Sequence, residues 1–181
     1  MYCLDIRDFF PSIKDLQVIE ALLRLGYSQR SVELLARLFT LEGRLPQGSP
    51  ASPVISNWVF YPTDLALVEL AQDLNVRYTR YADDLVFSGT GAPPPDLKDR
   101  VRGIVTAAGW VIAEDKEQLA QLPARLKVHG LLVHGVAPRL TKGYRNRIRA
   151  FKHLLAAGKI AEADMQKIQG HLAYARFIDE V

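Results

Sequence analysis

Val76-Arg77-Tyr78-Thr79-Arg80-Tyr81-Ala82-Asp83-Asp84-Leu85-Val86-Phe87-Ser88 decides how this chain of 181 residues is read. Two runs rich in aromatic and β-branched residues flank a pair of acids, the pattern of a β-hairpin with carboxylates at its tip. Asp is also favoured in ordinary turns, so the pair alone carries two readings. Asp5 is a third acid in a like setting. It sits in Leu4-Asp5-Ile6, again between apolar residues, and burying a carboxylate is costly unless something positive meets it. Hard oxygen ligands of this kind suit Mg²⁺ or Mn²⁺, held by a few carboxylates plus substrate phosphates. Side chains alternate along a strand, so Asp83 and Asp84 do not both point one way. Asp83 is the expected principal ligand and Asp84 the secondary one.

Working outward, Tyr2 to Ile6 reads as a strand end. Asp15 to Leu25 reads as a helix stopped by Gly26, with Leu16, Ile19, Leu22 and Leu23 on one face. Ser28 caps the next helix, and Ser52 with Pro53 starts a long apolar helix to about Leu74. Pro62 is expected to kink it. Asp96 caps a helix to Ala108 that Gly109 ends. Short strands follow near Trp110–Ile112, Leu126–His129, Leu131–His134 and Val136–Leu140. Thr141 then caps a basic helix to about Ala157, and a last helix runs from about Ala161 toward Ile178. The class implied is α+β, a mostly antiparallel sheet with helices on one face. The composition shift near Thr141 marks the expected junction between residues 1–140 and 141–181.

Charge is unevenly spread. The chain carries +3 overall, yet residues 118–161 contain nine Lys or Arg and no Asp or Glu. The remainder is therefore acidic. A solvated basic helix face accounts for such a block; so does an acid-lined metal site beside a track for a polyanion. Arg145, Arg149 and Lys152 share one helix face at spacings of four and three. No signal-peptide pattern opens the chain, and no stretch approaches the ~20 apolar residues that span a bilayer. Cys3 is the only cysteine, which excludes a disulfide framework and a Cys-rich zinc site. His129, His134, His153 and His171 show no metal-ligand spacing. A cytoplasmic protein with no membrane partner is the expectation.

Three motifs resemble one family. Leu4-Asp5-Ile6-Arg7-Asp8-Phe9-Phe10-Pro11-Ser12-Ile13 is similar to the first catalytic motif of retron-type and group II intron-type reverse transcriptases. Leu45 to Pro53 is similar to their nucleotide-binding loop, and Tyr78 to Leu85 to their second catalytic motif. Gly109-Trp110 with Lys116, and Val128 to Val133, resemble the fourth motif and the primer grip. Lys142–Leu155 and Gly170–Tyr174 resemble thumb helices. The resemblance covers nearly the whole chain and implies a polymerase palm over 1–140 and the start of a helical thumb over 141–181.

The resemblance also implies roles. Asp5, Asp83 and Asp84, with the Ile6 carbonyl, hold two Mg²⁺ ions (Mn²⁺ as a substitute) about 3.5–4 Å apart, for in-line transfer of a nucleotide to a primer 3′-hydroxyl. Phe10 lies under the incoming sugar and clashes with a 2′-hydroxyl, which favours deoxynucleoside triphosphates; core packing is its plainer reading, and one ring of Phe9-Phe10 is expected to do that. Pro46, Gln47, Gly48 and Lys116 serve the nucleotide, Gly48 by permitting close backbone approach. His129, Gly130 and Leu131 grip the primer, and Arg145, Arg149 and Lys152 track the template–primer backbone. The partners implied are an RNA template, a DNA primer or product, and structured non-coding RNA.

The chain departs from the pattern at Ala113, where Asn is usual, and at Glu117, where Thr or Ser is common. It opens almost at the first catalytic motif, so the expectation is of a fragment whose fingers lie on a missing segment or on a fused or partner protein. Two other functions compete: an antiviral, abortive-infection-like polymerase that extends without a template, and a non-catalytic nucleic-acid-binding palm.

Overall fold

A computed structural model describes residues 1–180. Alternation builds its first sheet. In β1 (Tyr2–Asp5) and β3 (Asp84–Ser88), Tyr2, Leu4, Leu85 and Phe87 are almost wholly buried. β2 (Arg77–Tyr81) pairs with β3, and β4 (Gln118–Leu119) with the other edge of β1, giving the antiparallel order β2-β3-β1-β4. The register sets Leu4 opposite Leu85 and Asp5 opposite Asp84. Directly opposed residues share a sheet face, so Cys3, Asp5, Asp84 and Val86 lie on the face away from Tyr2, Leu4, Leu85 and Phe87.

Helices cover the apolar face. A single turn α1 (Phe9–Ser12) follows β1, then α2 (Asp15–Arg24), α3 (Gln29–Phe39) and α4 (Ser52–Asp73). α5 (Leu97–Ala107) follows the hairpin. Phe60 and Leu67 of α4 and Val101 and Val105 of α5 are buried in one core with the strands. Complete burial of one such side chain is worth about 1.5–3 kcal/mol. Phe9, Phe60 and Trp110 form a ring cluster with centroids 4.9–5.7 Å apart. The buried indole N–H of Trp110 donates to Thr63 Oγ1 at 3.1 Å, so the core keeps no unsatisfied donor there.

Among the described residues the chain divides into two compact units after Leu119. The second begins with a small antiparallel sheet, β5 (Lys127–Val128), β6 (Leu131–Leu132) and β7 (Arg139–Leu140), followed by α6 (Lys142–Ala156) and α7 (Glu162–Glu180). Leu131 and Leu140 pack with Ile148 of α6 and Ala175 and Ile178 of α7. The small sheet thus shares its core with the helices after it, and the division falls earlier than the Thr141 junction suggested by composition.

Several local expectations are corrected. Ser52 is not an N-cap: its hydroxyl donates to the Pro46 carbonyl at 2.7 Å, and Ala51 occupies the cap position. Asp96 holds the cap position of α5 without a side-chain cap bond and pairs instead with Arg100 at 3.5 Å. Residues 110–112 form only an isolated bridge, Ile6 to Ile112. Ser28 and Thr141 do cap, accepting from the Ser31 and Tyr144 amides. The α4 helix runs on through Pro62. No helix among the described residues is long and apolar enough to cross a membrane.

Candidate active site

The hairpin turn is tight, and a tight turn needs unusual backbone. Only Ala82 and Asp83 separate β2 from β3. Ala82 adopts φ 52°, the left-handed region that an L-residue enters at a cost. Two hydrogen bonds hold the turn: the Ile6 amide donates to the Asp83 carbonyl at 3.0 Å, and Arg80 Nη1 donates to the Ala82 carbonyl at 3.0 Å. The first ties the tip to the end of β1, so two acids almost eighty residues apart in sequence are neighbours.

Asp5, Ile6, Phe10, Gln47, Asp83 and Lys116 line one cavity of about 440 Å³. Asp5 is buried, and its carboxylate accepts from Lys116 Nζ at 3.0 Å through each oxygen. This pairing, then the charges of Asp83 and Asp84, holds the Lys116 ammonium above its ordinary pKa. All three acids therefore act on one point. Lys116 itself stands on a one-turn 3₁₀ helix, Glu114–Lys116. Glu117 anchors the next residue: it accepts from the Tyr2 hydroxyl and from Arg102 at 2.9 Å, and pairs with Lys98 at 3.0 Å. Burial alone would raise the Glu117 carboxyl; these hydrogen bonds outweigh it and hold it below its usual range.

Two of the expected residues divide their work. Phe9 is buried against Phe60 and Trp110, whereas Phe10 is half-buried and faces the cavity. Pro46 and Gly48 shape the loop rather than line the cavity, Pro46 through Ser52 and Gly48 with φ 92°. Asp84 sits across from Asp5 in the ladder but does not line this cavity. Arg7, Asp8 and Asp115 line it and were not singled out from sequence. Arg7 and Asp8 adjoin Asp5-Ile6, a signal that was there to read; for Asp115 no pattern marked it.

The donor set suits a hard divalent ion. Among the described residues no three His, Cys, Asp or Glu side chains already form a cage. Mg²⁺ sites commonly need none, because one or two carboxylates act together with substrate phosphates and water. Asp5 and Asp83, with the Ile6 backbone beside them, provide that much.

In the second unit, His129 and Gly130 form the two-residue tip between β5 and β6, with φ 46° and 82°. Left-handed backbone at both positions is the type I′ hairpin pattern. Arg145, Arg149 and Lys152 line one cavity of about 470 Å³ with Arg176, the acids Asp179 and Glu180, and the apolar Leu140, Ile148, Leu172 and Ala175.

No family model matches the chain. It is 31% identical to the retron Mx65 reverse transcriptase of Myxococcus xanthus, across 97% of this chain and 45% of that protein. It is 28% identical to the retron Ec86 reverse transcriptase of Escherichia coli, across 97% of this chain and 55% of that one. The chain is similar to retron reverse transcriptases along nearly its whole length. It spans about half the length of the retron proteins it matches. The fold agrees. A foamy viral protease–reverse transcriptase solved with double-stranded DNA superposes with TM-score 0.57 at 20% identity, over 97% of this chain and 27% of that one. A Candida albicans telomerase superposes with TM-score 0.59 at 9% identity, over 98% and 38%.

Proposed function

We propose that this chain is the palm and first thumb segment of an RNA-directed DNA polymerase of the retron type, adding deoxynucleotides to a primer 3′-hydroxyl. One observation carries the reading: Asp5, at the end of β1, and Asp83, in the turn between β2 and β3, line a single cavity with Phe10, Gln47 and Lys116. Asp5, Asp83 and Asp84, with the Ile6 carbonyl, are the groups to hold two Mg²⁺ ions. When bound, such ions activate an attacking hydroxyl and neutralise a leaving pyrophosphate.

The chain's own residues do the rest. Phe10 presents its ring where the sugar of a nucleotide seated on Gln47 would lie, and a ring there excludes a 2′-hydroxyl. Pro46 and Gly48 hold the loop that carries Gln47. Lys116, which lines the cavity and is bonded to Asp5, is the cation to meet the leaving phosphates once ions occupy the acids. The His129-Gly130-Leu131 hairpin grips the primer end, and Arg145, Arg149 and Lys152 meet backbone phosphates regardless of sequence. An RNA template, a DNA primer and a structured non-coding RNA are the partners that the retron relatives suggest.

Primer extension on an RNA template, with deoxynucleotides and Mg²⁺, tests this. Extension that depends on template sequence and disappears in Asp83→Ala is the expected result. Extension unchanged in Asp83→Ala, or products unrelated to the template, would overturn it.

A further inference from the structure

The turn that carries Asp83 is gripped from behind by a side chain that none of the roles above uses. Arg80 is nearly buried, and each edge of its guanidinium is occupied. Nε and Nη2 donate to the two carboxylate oxygens of Asp64, at 2.9 and 2.6 Å. Nη1 donates to Asn57 Oδ1 at 3.1 Å and to the Ala82 carbonyl at 3.0 Å. The ring of Phe60 lies 4.5 Å below the guanidinium carbon, within the range where a cation is attracted to a ring face. Asn57, Phe60 and Asp64 all belong to α4, the long helix in the core. Tyr78 completes the clasp by donating to Asp64 at 2.7 Å.

We infer that Arg80, oriented by Asp64, is the positioning residue that keeps Ala82 left-handed and so delivers Asp83 to the cavity. A left-handed alanine is unstable on its own and persists where its surroundings over-determine it. Here one neighbouring carbonyl in the turn is fixed from β1 by the Ile6 amide, and the Ala82 carbonyl is fixed from α4 by Arg80. A lysine cannot replace this grip, because one ammonium does not reach a two-pronged carboxylate and a carbonyl with fixed geometry. Rigid support of this kind is what a carboxylate needs to meet a small ion at fixed distances. The inference rests on the reading of Asp83 as a metal-binding carboxylate.

The test compares wild type, Arg80→Gln, Arg80→Gln with Ala82→Gly, and Asp83→Ala. Three quantities are read on each: Mn²⁺ affinity by electron paramagnetic resonance, the chemical shifts of the residue 82 α-carbon and its neighbours, which follow backbone conformation, and the melting temperature. Arg80→Gln should weaken Mn²⁺ binding about 10–100-fold, the usual effect of losing support behind a ligand, and move the Ala82 shifts out of the left-handed range. Glycine enters that region freely, so Ala82→Gly in the same background should restore much of the affinity without restoring the melting temperature. A merely structural role for Arg80 would lower affinity and melting temperature together, and glycine at residue 82 would rescue neither. Should Arg80→Gln fail to fold, Asp64→Asn is read in the same way. Wild-type shifts and affinity in Arg80→Gln would overturn the inference, as would a loss that glycine does not recover. If wild type and Asp83→Ala bind Mn²⁺ equally, the metal reading fails instead, and the Ala82 shifts alone decide the positioning role.

Discussion

Lys116 Nζ lies 3.0 Å from each carboxylate oxygen of Asp5, a residue 111 positions earlier in the chain. The ammonium occupies the charge position that a divalent ion would take. Two effects of removing it should therefore run in opposite directions. Lys116→Gln leaves Asp5 uncompensated, so Mn²⁺ should bind a few-fold more tightly in calorimetric titration. The gain is modest because the Lys116 side chain is 57% exposed and solvent screens the pair. Primer extension should slow in the same variant, since no cation then meets the leaving phosphates. Asp5→Asn should abolish both. Weaker Mn²⁺ binding in Lys116→Gln would mean that the lysine supports the ion rather than competing with it.

Stability should fall at both ends of the pH range, for opposite reasons. The Tyr2 and Tyr78 phenols are raised above 10.0, first by burial and then by Glu117 and Asp64 respectively. Unfolded, they ionise near 10.0; folded, they stay protonated. Above that pH the folded state binds more protons, so stability is complete below it and is lost as pH climbs beyond it. Glu117 is depressed below 4.5, so its contribution is present above that value and lost as pH falls. Urea midpoints measured from pH 3 to 11 should show a plateau with two declining limbs. Tyr78→Phe should flatten the alkaline limb, and Glu117→Gln the acid one.

Phe9 and Phe10 should separate cleanly. Phe9→Ala empties a buried site between Phe60 and Trp110 and should cost about 3–5 kcal/mol in chemical denaturation. Phe10 is only half-buried, so Phe10→Val should leave stability nearly intact. Its effect should appear in ribonucleotide incorporation, which rises once the ring no longer meets the sugar. Equal stability losses at the two positions would place Phe10 in the core.

Much of this arrangement was legible because period and charge agree. Apolar and aromatic runs flanking Asp5 and Asp83-Asp84 marked the strands, and the cost of burying acids pointed to the candidate site. The missing parts are those that side-chain hydrogen bonds decide. Ser52 looks like a cap in sequence, yet the helix already includes it, Ala51 holds the cap position, and its hydroxyl donates to the Pro46 carbonyl. Glu117 looked like a departure from the family pattern; in the fold it gathers Tyr2, Lys98 and Arg102 beside Lys116. Arg80 and Asp64 were passed over, although an acid within the apolar run Val54–Leu74 was a signal. Its partner could not be read, because nothing in local spacing links a helix to the strand that follows it.

The second unit's cavity, with four cations against the two acids Asp179 and Glu180, should show its cations in the salt dependence of binding. Arg145, Arg149 and Lys152 line one cavity, and each cation that meets a duplex phosphate contributes about 0.9 to the slope of log affinity against log salt. Replacing all three with Gln should lower that slope by about 2–3 units on any sequence. A drop confined to one sequence would point to base contacts instead.

Pro62 poses a problem that Arg24 answers. Proline has no N–H, so within α4 the carbonyl four residues earlier, that of Trp58, loses its helical partner. Arg24 Nη2 donates to that carbonyl at 2.9 Å. The helix passes through Pro62 because a side chain from α2 substitutes for the missing bond. Arg24→Ala should therefore destabilise the protein by about 0.5–1.5 kcal/mol, the usual net value of one hydrogen bond. Pro62→Ala restores a backbone donor and relieves a residue that costs up to about 3 kcal/mol inside a helix, so it should stabilise. The two changes should not add. In a Pro62→Ala background the Trp58 carbonyl already has a partner, and Arg24→Ala should cost much less than in wild type. A double-mutant cycle by urea denaturation measures this coupling directly. Strict additivity would show that Arg24 and Pro62 act independently, and that water rather than Arg24 satisfies the carbonyl in solution.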